Sequence, residues 1–151
     1  MKPVADLQPL IDALLARFGS SDTGLCAAID LAVLVAMADE RIDADEMVAL
    51  TASVEGFLGT RLAPAVARHL INESRRRIRA DGADGCARTV GEVLAANRAG
   101  EEGVRFGLAI ALASEGVSEV ERARIAGLGQ AAGLSAARIE ELLREATAEG
   151  T

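Results

Sequence analysis

Residues 31–46 read LAVLVAMADERIDADE, and residues 106–121 read FGLAIALASEGVSEVE. Each stretch is an apolar segment that runs through an alanine into a short acidic turn. Each then continues with an aspartate or a serine that is followed three positions later by glutamate, the pattern of a helix-capping box. The second stretch begins 75 residues after the first in a chain of 151 residues, so each half of the chain carries one copy.

The composition favours an all-helical protein. Half of the residues are apolar, but only three are aromatic, and the chain has no Tyr or Trp. A core of Leu, Val, Ile and Ala suits closely packed helices and disfavours strands. Apolar residues recur at helical spacing in successive segments, and none alternates with period two over the length of a strand. We therefore predict one compact all-α domain over residues 1–151, with seven or eight helices.

The repeated pattern predicts the centre of this domain. We expect two helix–acidic turn–helix repeats, over residues 25–56 and 100–128, related by a pseudo-two-fold axis. The first helix of each repeat, about 25–38 and about 102–113, is apolar nearly all round and needs burial on every side. The two helices should therefore cross at the centre of the domain. Four small residues would allow their close approach: Ala32, Ala36, Gly107 and Ala111.

The first acidic turn concentrates carboxylates. Within eight residues it holds five of them: Asp39, Glu40, Asp43, Asp45 and Glu46. Clustered oxygen ligands on a turn are what hard cations such as Ca²⁺ or Mg²⁺ require. The spacing is not that of an EF-hand, because the glycine of that loop is absent. The turn is therefore a candidate site for a divalent cation.

Helix capping is the simpler explanation for part of this pattern. The Asp43 side chain can accept from the backbone N–H of Glu46, which can reach back to the N–H of Asp43, and Ser118 and Glu121 repeat the arrangement. Capping leaves three acidic residues unexplained: Asp39, Glu40 and Glu115. Because serine keeps the cap and loses the charge, a cation should prefer the first turn and use the second only as a supplement.

The charge balance excludes some partners. A formal net charge of −7 leaves no basic footprint for duplex nucleic acid, and the few aromatic residues provide no stacking platform for single strands. The basic exception is a cluster near the expected end of a helix: Arg75, Arg76, Arg77 and Arg79. Its two interpretations are a solvated last turn, favoured by the helix dipole, and a docking patch for an acidic partner or lipid headgroup.

The remaining reactive residues are few. Cys26 and Cys86 lie in apolar contexts, which predicts two buried thiols rather than a disulfide framework or metal knuckle. His69 is the single histidine, so a catalytic triad or zinc site is disfavoured. The longest apolar stretch, 25–38, contains Asp30 and is too short to span a bilayer. With no secretory signal at its start, the chain is expected to be soluble and cytoplasmic.

The first acidic turn resembles a family motif. Residues 38–46, Ala-Asp-Glu-Arg-Ile-Asp-Ala-Asp-Glu, resemble the tellurite-resistance protein TerB and its relatives, and residues 113–121 are similar to the family's second motif. The resemblance covers about residues 24–143. Where the family usually has Asp-Gly, this chain has Asp39-Glu40, a departure that marks it as a divergent member.

This resemblance implies an all-helical domain with duplicated halves, acidic motifs suggested to bind metal, and no established enzyme activity. Asp39, Asp43 and Glu46 carry over best as ligands, and Glu115 and Glu121 less securely. TerB-like domains occur in tellurite-resistance and stress-response systems with membrane-associated partners, and also appended to DnaJ-type co-chaperones.

The expected function is therefore a non-catalytic TerB-like module that docks a protein partner and binds a divalent cation at the first acidic turn. One alternative is a co-chaperone-type interaction adaptor without metal. A remote alternative is a hydrolase with paired carboxylates, which needs one carboxyl group with a raised pKa in a concave pocket. A deep cleft that contains Asp30 and Glu46 together would favour it.

Overall fold

The computed structural model describes residues 7–38, 42–113 and 117–149, and within them the chain is helical without any strand. The described residues form eight helices: α1 Gln8–Phe18, α2 Asp22–Ala36, α3 Ala44–Leu58, α4 Pro64–Asp81, α5 Ala83–Ala96, α6 Gly100–Leu112, α7 Glu119–Ala131 and α8 Ala136–Glu149. All eight contribute buried side chains to one continuous apolar core. The prediction of a single all-α domain is confirmed.

Two helix boundaries differ from the sequence prediction. The helix expected to begin at about Leu25 begins at Asp22, because Ser21 supplies an N-cap whose hydroxyl oxygen accepts from the Gly24 N–H at 3.1 Å. The run Asp-Gly-Ala-Asp-Gly over residues 81–85 predicts a turn, but only Gly82, whose φ of 82° favours glycine, separates α4 from α5. Helix α2 therefore begins, and helix α4 ends, at an aspartate that lines the cavity described below, Asp22 and Asp81 respectively.

The two apolar helices α2 and α6 pack against each other at the centre of the fold. Leu34 and Val35 on α2 and Phe106 on α6 are completely buried. A Cβ placed on Gly107 would lie 3.4 Å from Cδ2 of Leu31 and 3.5 Å from Cγ2 of Val35, so this glycine faces α2 across the contact. The predicted burial of both helices is confirmed, while the pseudo-two-fold relation of the repeats stays a prediction.

Helix α5 packs closely on α7, and α2 also contacts α3, α4 and α5. Gly91 is the point of close approach, since a Cβ there would lie 2.8 Å from the carbonyl oxygen of Leu128.

In the part of the chain that the structure describes, no helix combines the length and apolar character needed to cross a membrane.

Candidate functional site

The first acidic turn leads into α3 through a complete capping box. Oδ1 of Asp43 accepts from the Glu46 backbone N–H at 2.8 Å, and Oε1 of Glu46 accepts from the Asp43 N–H at 3.2 Å. Asp43 and Asp45 are exposed, whereas only 7% of Glu46 is accessible to solvent. The glutamate therefore stabilises the start of α3 from a nearly buried position.

The second acidic turn leads into α7 through the same arrangement. The Ser118 hydroxyl oxygen accepts from the Glu121 N–H at 3.1 Å, and Oε1 of Glu121 accepts from the Ser118 N–H at 3.0 Å. Glu121 is 4% exposed. Both predicted capping boxes are confirmed, and serine supports the cap in the second turn as aspartate does in the first.

The other predicted ligands, Asp39, Glu40 and Glu115, lie outside the described residues. Of the predicted set, Asp43 and Glu46 come together at one turn, and Glu121 belongs to the other. Over residues 7–38, 42–113 and 117–149, no three His, Cys, Asp or Glu side chains are placed to hold a metal ion. Binding of Ca²⁺ or Mg²⁺ at the first turn stays a prediction.

The four arginines of the basic cluster lie in different environments along α4. Arg76 is exposed and pairs with Glu73 of its own helix, while Arg77 pairs with Asp30 of α2 at 2.8 Å. The Nε atom of Arg75 is buried and has no hydrogen-bond partner among the described residues. Only Arg79 lies in the last turn of α4. Arg76, Arg77 and Arg79 are exposed, as the solvated interpretation expects, although Arg77 also reaches across to α2. The interpretation as a docking patch stays a prediction.

A cavity of about 350 Å³ lies between α2, α4 and α5. Its apolar walls include Ala27, Val90 and Val93. Its polar and thiol-bearing lining consists of Asp22, Thr23, Cys26, Asp30, Arg77, Asp81, Cys86 and Thr89. This volume is within the range of small-molecule binding sites. Asp30 lines the cavity and Glu46 does not, so the cleft that a two-carboxylate hydrolase would need is not formed by this pair.

Asp30 is the most constrained polar group of this cavity. Its Oδ1 atom accepts from the Ser74 hydroxyl at 2.6 Å and from Nη2 of Arg77 at 2.8 Å. The Asp30 side chain is 15% exposed, and its hydrogen bond raises the pKa of Arg77 above the usual value. Oδ2 of Asp30 makes no hydrogen bond within the described part of the chain.

Both cysteines line this cavity. Cys86 is buried, and its burial, reinforced by the nearby carboxylates of Asp30 and Asp81, raises the pKa of its thiol to about 11. Cys26 is exposed, so the prediction of two buried thiols is wrong for Cys26. The physical reason is that Cys26 lies on the same face of α2 as Asp22 and Asp30, and this face lines the cavity instead of packing into the core.

The motifs of the sequence did not predict this site, although the sequence contains one signal for it. Asp22, Cys26 and Asp30 recur at intervals of four, which places them on one face of a helix. Asp22 belongs to this face only because α2 begins at Asp22 instead of at about Leu25. Nothing local to α2 indicates that Ser74 and Arg77 of α4 meet it.

Comparisons of the chain with protein-family models, with curated proteins and with solved structures found no match. The resemblance to TerB therefore rests on the acidic motifs of the sequence, and the function is a proposal.

Proposed function

We propose that the chain is a non-catalytic, cytoplasmic interaction module of a tellurite or general stress response, similar to TerB, in which a divalent cation at the first acidic turn tunes docking to a protein partner. The observation that carries the cation part is the matched pair of capping boxes. Ser118 caps α7 with nearly the geometry with which Asp43 caps α3. The negative charge of Asp43 therefore exceeds what capping requires.

Electrostatics supports a cation at this turn. Asp43 and Asp45 are exposed at the start of α3, and the sequence adds Asp39 and Glu40 before them, separated from Asp43 by Arg41 and Ile42. Like charges at this spacing repel one another, and the single positive charge of Arg41 and the helix dipole offset only part of the repulsion among five carboxylates. A bound cation would neutralise the cluster and stabilise the folded state through ligand linkage.

Thermal unfolding in Ca²⁺, Mg²⁺ or Mn²⁺ against chelator tests the cation part. A cation at ~100-fold excess over its Kd contributes ~2.7 kcal/mol of stability. For a chain of this size, that raises the Tm by about 5–10 °C. Asp43→Ser should abolish the shift and leave the Tm in chelator close to wild type, because serine keeps the cap. Asp39→Asn should reduce the shift as well.

Ser118→Asp is the matched control, because it makes the reverse exchange in the second turn. This variant should retain the full cation shift of the wild type. If the wild type shows no shift with any of the three cations, the cation part of the proposal is wrong. If Asp43→Ser keeps the shift, the cation binds elsewhere.

The docking part rests on exposed apolar side chains beside the two turns. Val48 on α3 and Val120 on α7 are 54% and 48% exposed, and each lies within the first two turns of the helix that follows an acidic turn. Apolar residues exposed next to a switchable charge cluster suit a protein contact that the cation regulates. Val66 on α4 is 47% exposed but does not follow an acidic turn, so it provides a control position.

Sedimentation with membranes from tellurite-treated cells tests docking to a membrane-associated protein. Binding should require the cation, should fall in Val48→Ser, and should be unchanged in Val66→Ser. Treatment of the membranes with protease should abolish it. Binding that survives protease would mean that lipid is recognised rather than a protein, and equal losses in both variants would remove Val48 from the docking surface.

A further inference from the structure

We propose that the cavity between α2, α4 and α5 binds a compact amphipathic cation, in which an ammonium or amidinium group is carried on a small apolar body. This inference does not depend on a cation at the acidic turns. It follows from the shape of the cavity, from its charge and from the constrained carboxylate of Asp30.

The apolar part of the ligand would contact the walls of the cavity. Ala27, Cys86 and Val90 are almost fully buried and line the volume of about 350 Å³ together with Val93. Binding there would be favourable because it removes apolar surface of the ligand and of the walls from water. The volume is at the lower end of the range for small-molecule sites, so the ligand is compact.

The charge of the lining selects a cation. Among the residues that the structure describes, Asp22, Asp30 and Asp81 line the cavity with three carboxylates, against the single guanidinium of Arg77. Arg77 is already paired with Asp30 at 2.8 Å. An anion would therefore meet two further carboxylates, whereas a cation would meet an excess of negative charge in a partly desolvated site.

Asp30 supplies the recognition atom. Ser74 and Arg77 both donate to Oδ1, which fixes the carboxylate and leaves Oδ2 without a hydrogen-bond partner among the described residues. The side chain is 15% exposed, so a ligand that fills the cavity would displace the water that competes for a charge-assisted hydrogen bond at Oδ2. The carboxylate is fixed before any ligand arrives, which lowers the entropic cost of binding.

The rim of the cavity favours a small ligand over a macromolecule. Asp22, Thr23 and Thr89 are exposed polar residues of the lining. Among the described residues, the large apolar side chains exposed to solvent all lie away from the cavity: Val48, Leu58, Val66 and Val120. A protein partner would be expected to cover such apolar residues around the site.

Cys26 makes the proposal measurable in the unmodified chain. Its thiol is exposed and lines the cavity, so an occupant should slow its alkylation by iodoacetamide. Cys86 should react far more slowly, because it is buried and the pKa of its thiol is about 11. Mass spectrometry of the two cysteine peptides therefore reports occupancy at Cys26 and loss of structure at Cys86.

The probe is cyclohexylmethylammonium, compared with cyclohexylmethanol and cyclohexanecarboxylate, which have similar shapes but no positive charge. The ammonium should slow alkylation of Cys26 severalfold in a saturable way, and the other two should not. Asp30→Asn should weaken protection by the ammonium about tenfold or more, because it removes the charged acceptor. Asp12→Asn is the matched control, since Asp12 also accepts a hydrogen bond at Oδ1, but on the exposed surface of α1.

Val93→Phe gives a second test if Asp30→Asn does not fold. Val93 is half-buried, so a larger side chain there fills the cavity without forcing apart a fully buried position. This variant should lose protection by the ammonium while Cys86 stays unreactive. Equal protection by the alcohol or the carboxylate, or an unchanged effect in Asp30→Asn, would overturn the proposal. Protection by basic peptides alone would also overturn it, because the site would then be a protein contact.

Discussion

Ser74 on α4 donates its hydroxyl hydrogen to Oδ1 of Asp30 on α2 at 2.6 Å. The two residues are 44 positions apart in sequence, and Ser74 is completely buried. This hydrogen bond joins two helices at the edge of the cavity and holds the one carboxylate that both Ser74 and Arg77 contact. The contact therefore contributes to stability as well as to the proposed site.

Ser74→Ala should lower the free energy of unfolding by about 1–2 kcal/mol, because it removes a buried hydrogen bond to a charged group. Ser53→Ala is the control. Ser53 is equally buried, but its hydroxyl donates to the Ala49 carbonyl of its own helix at 2.7 Å. Removal of the Ser53 hydroxyl should change the free energy of unfolding by ~0.5 kcal/mol or less, since alanine favours the helix more than serine does. Urea unfolding measures the free energy of unfolding of both variants. Equal losses would mean that the hydrogen bond between α4 and α2 stabilises the fold no more than the one within α3.

Gly91→Ala should destabilise the fold by about 1–3 kcal/mol, because the added methyl group collides with α7. The nearest backbone atom, the carbonyl oxygen of Leu128, would lie 2.8 Å from the new Cβ. Gly127→Ala, on the exposed face of α7, has no atom within 4 Å of its Cβ and should stabilise the chain by about 0.5–1 kcal/mol. Thermal unfolding distinguishes them, and a neutral Gly91→Ala would show that α5 and α7 can separate without cost.

The ion pair between α6 and α8 should make the free energy of unfolding fall as the pH is lowered into the acid range. Arg138 donates to both carboxylate oxygens of Glu101, at 2.7 and 3.0 Å, and this pairing lowers the pKa of Glu101. A carboxyl group with a lowered folded-state pKa contributes stability above its unfolded pKa, and the contribution is lost as the pH falls through the folded value.

Glu101→Gln should therefore lower the Tm at about pH 7 and reduce its fall between about pH 5 and pH 3. Glu140→Gln is the control, because Glu140 lies 3.8 Å from Arg122 in an exposed pair and forms no hydrogen bond to it. Identical pH profiles for Glu101→Gln and the wild type would contradict the role assigned to this pair.

Cys86 should make the free energy of unfolding fall as the pH is raised into the alkaline range. Burial raises the pKa of its thiol from 9.0 to about 11. A group with a raised folded-state pKa leaves stability intact below its unfolded pKa, and stability is lost as the unfolded state deprotonates between about pH 9 and pH 11. Cys86→Ala should remove this part of the loss in urea unfolding at a series of pH values. Cys26→Ala, at the exposed cysteine of the same cavity, should keep it.

The sequence by itself determined the features that depend on neighbours within a few residues. Both capping boxes, at Asp43 and Ser118, form as predicted, because a cap requires only a side chain and the N–H three positions later. The burial of α2 and α6 could also be predicted from the sequence, since a helix that is apolar nearly all round has no polar face to expose to solvent. The helix start at Asp22 was missed because its cap, Ser21, stands within a polar run that also suits a loop.

The tertiary structure alone decided the cavity and its chemistry. The contacts of Asp30 with Ser74 and Arg77 span 44 and 47 residues, and Cys26 and Cys86 share a cavity although they belong to different helices. Helical periodicity places Asp22, Cys26 and Asp30 on one face, but it does not say which helix covers that face. That depends on how α4 and α5 pack against α2, and packing is determined by side chains distant in sequence, whereas caps and helix faces are determined by the local backbone.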